Sequence, residues 1–351
     1  MSTVFTTEVS NLFSQYDKGA KQERDIEITK NYYGMTGNGK VSMEFVGKPY
    51  DLTRESVRQI MGRVISDIKP ASDSKVLEQC IDLIATHSPA SADRLEALFV
   101  ERGLIPKGFK IEGVINAINL FCNLEEKYVI TKENDARFVV GETLQSSPKE
   151  ILSKATKEIS HNGAVSIQTI TKILPETLSS ETKDQFVIDV VKTVDEMTWI
   201  CLDEQWFYFG SKGRNRLLQR LERIFSVVES ATAENICLGM ERAWNKNRKE
   251  ISKVPPAEII IKLAKTDPDY DTDGVSITAI NRQHESILTE YELGLAVSLV
   301  EAEDNTLREK ALEDLLVTNT KEKYAFSQAL NYSPLIIKLE RGVYRLVGNP
   351  L

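Results

Sequence analysis

In the segment RESVRQIMGRVISDI the apolar residues Val57, Ile60, Met61, Val64, Ile65 and Ile68 recur at the spacing of one helical face. Arg54, Glu55, Arg58, Gln59 and Arg63 fall away from that face. The pattern predicts an amphipathic helix beginning at Arg54, with Thr53 as its N-cap. Upstream, ERDIEITKNYY carries apolar residues at Ile26, Ile28, Tyr32 and Tyr33 and breaks at Gly34, which predicts a second helix. VSMEFVG between them predicts a short helical turn ending at Gly47, followed by the connection KPYDL.

Past Pro70 one design recurs: amphipathic helices followed by a short β-rich pair near glycine. The first copy has helices in SKVLEQCIDLIATHS, SADRLEALFVERG and IEGVINAINLFCNL, and a hairpin in EKYVITKENDARFVVG. The second has PKEILSKATKEISHNG, VSIQTITKILP and ETKDQFVIDVVKTVDEM, with TWICLDEQWFYFG as an aromatic hairpin. The third has GRNRLLQRLERIFSVVES, ATAENICLGMERAW and PPAEIIIKLAK, where Pro255 and Pro256 suit a helix start, and GVSITAIN as a strand. The fourth has LTEYELGLAVSLVEAED, TLREKALEDLLVTN and KYAFSQALNYS, closing with LIIKLERGVYRLVG and an Arg341-Gly342 turn. The expected fold is mainly α with small β-hairpin wings. A helix-turn-helix would occupy residues 1–70, and winged-helix-like modules residues 71–145, 146–211, 212–283 and 284–351.

Composition narrows the function classes. The 351 residues exceed one ordinary domain, and 41% hydrophobic with 27% charged residues is the balance of a globular protein. No stretch approaches the length of a membrane span, and MSTVFTTEVSNLF lacks a secretory signal, so a cytoplasmic protein is expected. The net charge of −8 disfavours indiscriminate coating of nucleic acid. Residues 17–70 nevertheless hold ten Lys and Arg against eight Asp and Glu, so the acid is concentrated in the remainder.

The run VSMEFVGKPYDLTRESVRQIMGRVISDIK resembles the helix-turn-helix of region four of bacterial primary sigma factors, and ERDIEITKNYYGM resembles the helix before it. In that family the second helix of the motif reads the minus-35 promoter element and the region docks on RNA polymerase. The resemblance therefore implies a transcription regulator, with double-stranded DNA and RNA polymerase, or another protein subunit, as partners. Carried over by position, Arg54, Glu55, Arg58 and Gln59 would read bases; Thr53 and Arg63 complete the candidate DNA-binding set. Arginine pairs bidentately with guanine, glutamine with adenine, and glutamate accepts from cytosine, which suits these side chains to a major groove. The departures are Ser56, where the family often has a basic residue, and Met61-Gly62 in place of Glu-Ala. With roughly twenty residues before the match, a sigma factor able to open promoters alone is not expected. The same DNA contact would also serve a recognition or scaffolding subunit of a mobile-element or defence assembly.

The closing hairpin weakly resembles the wings of helicase- and restriction-associated domains, and such modules bind either DNA or protein. Arg214, Arg216, Arg242, Lys246 and Arg248 in the third copy are candidates for a secondary DNA contact, or for a solvated face paired with Glu222 and Glu241.

No enzyme is expected, and no cofactor or metal. Asp269, Asp271, Asp273 and Gly274 open like a calcium loop, but Ile280 stands where the bidentate glutamate belongs. His87, His161 and His284 lie far from partners at motif spacing, and phosphate-loop, nucleophile-elbow and zinc-helix motifs are absent. Cys80, Cys122, Cys201 and Cys237 are widely spaced in apolar surroundings and read as buried thiols.

Overall fold

The computed structural model describes residues 4–17, 19–71, 73–144, 147–210, 215–243 and 254–350. It is 55% helical and 16% strand, a mixed α/β protein with small antiparallel sheets, roughly compatible with the mainly α fold with β wings expected from the sequence. Its contacts divide the chain into two units, Met1–Ile151 with Ile173–Thr193, and Leu152–Lys172 with Val194–Leu351.

The first unit opens with α1 (Val4–Phe13), α2 (Gln22–Tyr32), α3 (Met43–Gly47) and α4 (Arg54–Asp67). Next come α5 (Lys75–His87), β1 (Ala90–Ser91), α6 (Ala92–Glu101), α7 (Glu112–Phe121) and the hairpin β2 (Tyr128–Glu133) and β3 (Ala136–Gly141). Asn134 and Asp135 both adopt positive φ, the tight mirror-image turn that matches strand twist. β1 pairs with β3, so the hairpin becomes a three-stranded sheet in the order β1-β3-β2.

One apolar core runs through this whole stretch, from Phe5 and Phe13 through Val57 and Val64 to Phe121 and Val139. Phe5 meets Phe109 edge-on at 5.6 Å, and Phe13 meets Phe121 at 5.7 Å. Residues on both sides of exposed Pro70, Ile68 and Leu77 among them, share that core, and the Ala71 N–H donates to the Phe121 carbonyl at 2.8 Å. Arg137 on β3 ties α6 and α7 together by donating to Asp93, Glu96 and Glu112 at 2.8–2.9 Å. The unit is completed by α10 (Ser180–Val191), whose Phe186 stands edge-on to Phe138 at 5.9 Å.

Between these parts of the chain lies α8 (Pro148–Asn162). The second unit then holds β4 (Val165–Ser166), α9 (Ile167–Ile170), β5 (Met197–Cys201) and β6 (Trp206–Phe209), with sheet order β4-β6-β5. It continues with α11 (Arg216–Phe225), β7 (Val228–Thr232), α12 (Ala233–Ala243), α13 (Ala257–Ala264), β8 (Tyr270–Thr272) and β9 (Ser276–Ala279). Last come α14 (Glu290–Val300), β10 (Thr306–Arg308), α15 (Glu309–Leu316), α16 (Thr320–Tyr332), β11 (Ile336–Glu340), β12 (Val343–Leu346) and β13 (Asn349–Pro350). The remaining sheets run β13-β7-β9-β8 and β10-β12-β11. Gly348 makes the first of these possible, because a β-carbon there would lie 2.1 Å from the Ser230 carbonyl oxygen.

From α5 onward, among the described residues, the order helix, strand, helix, helix, strand, strand occurs four times. The early strand of each set, β1, β4, β7 or β10, was not expected from the sequence. SVVES, expected to extend a helix, is instead mostly β7: α11 stops at Phe225, and Ser230 to Thr232 pair with Ser276 to Thr278 of β9. VSIQTITKILP holds the two-residue β4, one short helix and a 3-10 turn rather than one helix. The third helices of the first three sets are turned into the fold. α7 packs against the loop after α2, where the Asn116 amide donates to the Tyr33 carbonyl at 2.8 Å; α10 lies on β1, and α13 lies on β5.

Candidate nucleic-acid interface

Three helices build the candidate site. Ser42 caps α3 by accepting from the Phe45 N–H, and the chain continues through a 3-10 turn at Lys48–Tyr50. Asp51 then adopts φ +51°, reversing the chain before Leu52 and Thr53. Thr53 caps α4, accepting from the Ser56 N–H at 3.2 Å. Gly47 is required where it stands: a β-carbon would meet the Leu52 carbonyl oxygen at 2.8 Å and the Val57 side chain at 2.9 Å. The corner between α3 and α4 is therefore closed tightly, and the Tyr50 hydroxyl pins it to α2 by donating to Glu27 at 2.8 Å. Below, buried Asp25 of α2 accepts from the Tyr16 hydroxyl at 3.2 Å and from Arg24.

Val57, Ile60, Met61 and Val64 of α4 are buried, as is Ile68 just beyond it. Thr53, Arg54, Glu55, Arg58, Gln59 and Arg63 are all exposed on the same helix and its cap. Three of those side chains, Glu55, Arg58 and Gln59, form a connected group. Arg58 donates through Nε and Nη2 to the two Glu55 oxygens at 2.8 and 2.7 Å, and Gln59 Nε2 donates to Glu55 Oε1 at 3.1 Å. The bonds from Arg58 and Gln59 hold the Glu55 carboxyl down at about 2, so it is ionised throughout the working pH range. Arg54 pairs with Glu44 at the start of α3. That partner was not picked out from sequence, because only the closed corner brings Glu44 beside a residue ten positions later. Gly62 faces open space, so its packing does not call for glycine.

Of the secondary candidates, Arg216 and Arg242 are among the described residues. Arg214, Lys246 and Arg248 lie outside the described residues. Arg216 is half-buried on α11, and burial, with the neighbouring charges of Arg216 and Arg223 behind it, pushes the Arg220 guanidinium down to about 9. Arg242 is spent inside the fold: it donates to the carbonyls of Leu330 and Ile336 and lies over the Tyr344 ring at 5.3 Å. Arg223, in turn, pairs with Glu292. α16, the helix that KYAFSQALNYS predicts, exposes Lys323 and Tyr324, the latter at 71%.

Elsewhere, Asp273 closes the β8–β9 turn by accepting from the Val275 and Ser276 N–H groups, and those bonds lower its carboxyl below the usual range. Cys80 and Cys201 are buried, whereas Cys122 and Cys237 are only half-buried. A cavity of 620 Å³ in the first unit has Glu126, Tyr128 and Glu176 as its ionisable lining, and Glu126 already accepts from the Thr143 N–H. Among the described residues no helix is long and apolar enough to cross a membrane, and no cluster of His, Cys, Asp or Glu could hold a metal ion. No protein-family model, curated protein or solved structure matches the chain.

Proposed function

We propose that this chain is a sequence-specific double-stranded DNA-binding protein that reads its site with α4, in the manner of the sigma-factor region that residues 22–70 resemble. One observation carries the reading. The polar side chains Arg54, Glu55, Arg58, Gln59 and Arg63 share the exposed side of one 14-residue helix that is capped, closely cornered and anchored by its apolar face. An exposed helix of this kind, presenting arginine and glutamine near its N-terminus, has the dimensions and donors for base edges in a major groove. The biological role that fits is a transcription regulator, with RNA polymerase as the first partner to test.

The four sets of helix, strand, helix, helix, strand, strand are read as winged-helix modules. A winged helix that reads DNA uses its third helix, and α7, α10 and α13 are instead packed on neighbouring elements of their own unit. Together with the acidic balance outside residues 17–70, this favours modules that build a scaffold or hold a protein partner. It also supports the second reading, a DNA-recognition and scaffolding subunit of a mobile-element or defence assembly.

The test is selection of bound fragments from random duplex DNA by the full chain. One enriched sequence is expected, and Arg58→Ala should cost about 1 to 3 kcal/mol at one base pair of it. Binding of the parent and of Arg58→Ala that is equal on the selected and scrambled sequences would rule the reading out. Co-purification of RNA polymerase, against nuclease or helicase subunits, separates the two biological roles.

A further inference from the structure

We infer that Glu55 is a positioning residue that pre-sets Arg58 and Gln59 for base recognition, rather than a reader of cytosine; the inference rests on the DNA-binding reading of α4. The geometry decides which edges remain available. Arginine has five N–H donors in a planar fork. Glu55 takes the side edge of Arg58, Nε and Nη2, at 2.8 and 2.7 Å. The end-on pair of donors, one on Nη1 and the second hydrogen of Nη2, stays free and parallel, which is the arrangement that meets guanine O6 and N7. Arg58 can therefore read guanine without releasing Glu55.

Gln59 is treated in the same way. It gives one Nε2 hydrogen to Glu55 Oε1 at 3.1 Å. Its other Nε2 hydrogen and its Oε1 remain, and these are the donor and acceptor that adenine N7 and N6 require. The contact also fixes which way the amide points. Three of the roughly four acceptor positions of the carboxylate are thereby occupied within the protein. An anion near DNA phosphates weakens binding, so its place in the reading head is accounted for by what it holds still. A long side chain fixed before binding loses less freedom on binding, and a wrong base then meets a donor pair that cannot turn away.

The experiment uses the full chain and the sequence enriched from random duplex DNA. Affinities of the parent, Glu55→Ala, Glu55→Gln, Arg58→Ala, Gln59→Ala and the Glu55→Ala/Arg58→Ala pair are measured on that sequence and on each of its single base-pair variants. Glu55 is exposed, and thermal melts are expected to be unchanged by its replacement. Glu55→Ala should reduce discrimination roughly tenfold at the same base pairs that Arg58→Ala and Gln59→Ala affect, while affinity for unrelated DNA holds or rises. The double variant should lose no more at the Arg58 base pair than Arg58→Ala alone. Glu55→Gln, which keeps one acceptor oxygen, should restore part of the discrimination. Loss at a base pair indifferent to both Arg58→Ala and Gln59→Ala would overturn the inference and make Glu55 a direct reader. Unchanged discrimination in Glu55→Ala would overturn it as well. If the parent enriches no sequence, the DNA-binding reading fails first and this inference with it.

Discussion

Gly113, at the start of α7, lies so close to Gly34 that a β-carbon at 113 would stand 2.3 Å from the Gly34 carbonyl oxygen. Backbone meets backbone there, and neither side has a flexible group to move. Gly113→Ala should therefore destabilise the protein by about 3 kcal/mol, as overpacking does when the neighbours cannot yield. Gly62→Ala should act in the opposite direction. Its site is an open helix interior, where alanine stabilises by about 0.5 to 1 kcal/mol over glycine. Urea denaturation of the two variants checks both signs, and equal effects would refute the contrast.

A fragment ending at Pro70 should not fold. Phe13, Ile28 and Met35 belong to the same core as Phe109, Val114, Ile118 and Phe121, and truncation leaves the first group in water. The measurement is circular dichroism with a thermal melt; a cooperative transition in the fragment would show that α1–α4 form a core of their own.

Arg242→Gln separates a structural arginine from a phosphate contact. The guanidinium donates to two backbone carbonyls and covers Tyr344, so its loss should cost about 2 kcal/mol of stability. The salt dependence of DNA affinity should stay as in the parent, since a residue that touches no phosphate releases no counterion. A slope reduced by about one unit would return Arg242 to the DNA-binding set.

Stability should decline in alkali through Cys80. Burial pushes this thiol up to about 12, against about 8.5 in the unfolded chain. Above the lower value the unfolded state sheds a proton that the folded state keeps. The contribution is full below about pH 8.5 and is lost as pH rises toward the folded value, by up to about 1.4 kcal/mol per pH unit. Cys237, raised to about 11 chiefly by burial, adds a parallel loss. Cys80→Ala should flatten the profile between about pH 9 and 11 in denaturant titrations, and an unaltered slope would exclude Cys80 as its source.

The helix α4 was legible in the sequence because 14 residues give the 3.6-residue period room to repeat, and because Thr53 and Gly47 punctuate its start. The hairpin in EKYVITKENDARFVVG and the turn at Arg341-Gly342 were legible for a similar reason, since turn chemistry is local. β1, β4 and β10 were not. Two or three residues show no alternation, and such strands exist only through their pairing with β3, β6 and β12. β7 lay hidden in an apolar run shared with the helix before it. Arg242 was misleading for another reason: a count of cationic residues carries no information about which guanidinium turns inward. Glu55 was read from its type as a base acceptor, and only the positions of Arg58 and Gln59 reveal it as already engaged.

α4 and the β2–β3 hairpin belong to the same unit and contribute to one apolar core together with α1 and α7. Independent swinging is the default for modules joined by a linker. Here the amides of residues 54–67 and those of residues 128–141 should report one rotational correlation time in NMR relaxation. DNA held by α4 would then arrive at a fixed angle to anything carried on that hairpin, as on a bracket rather than a tether.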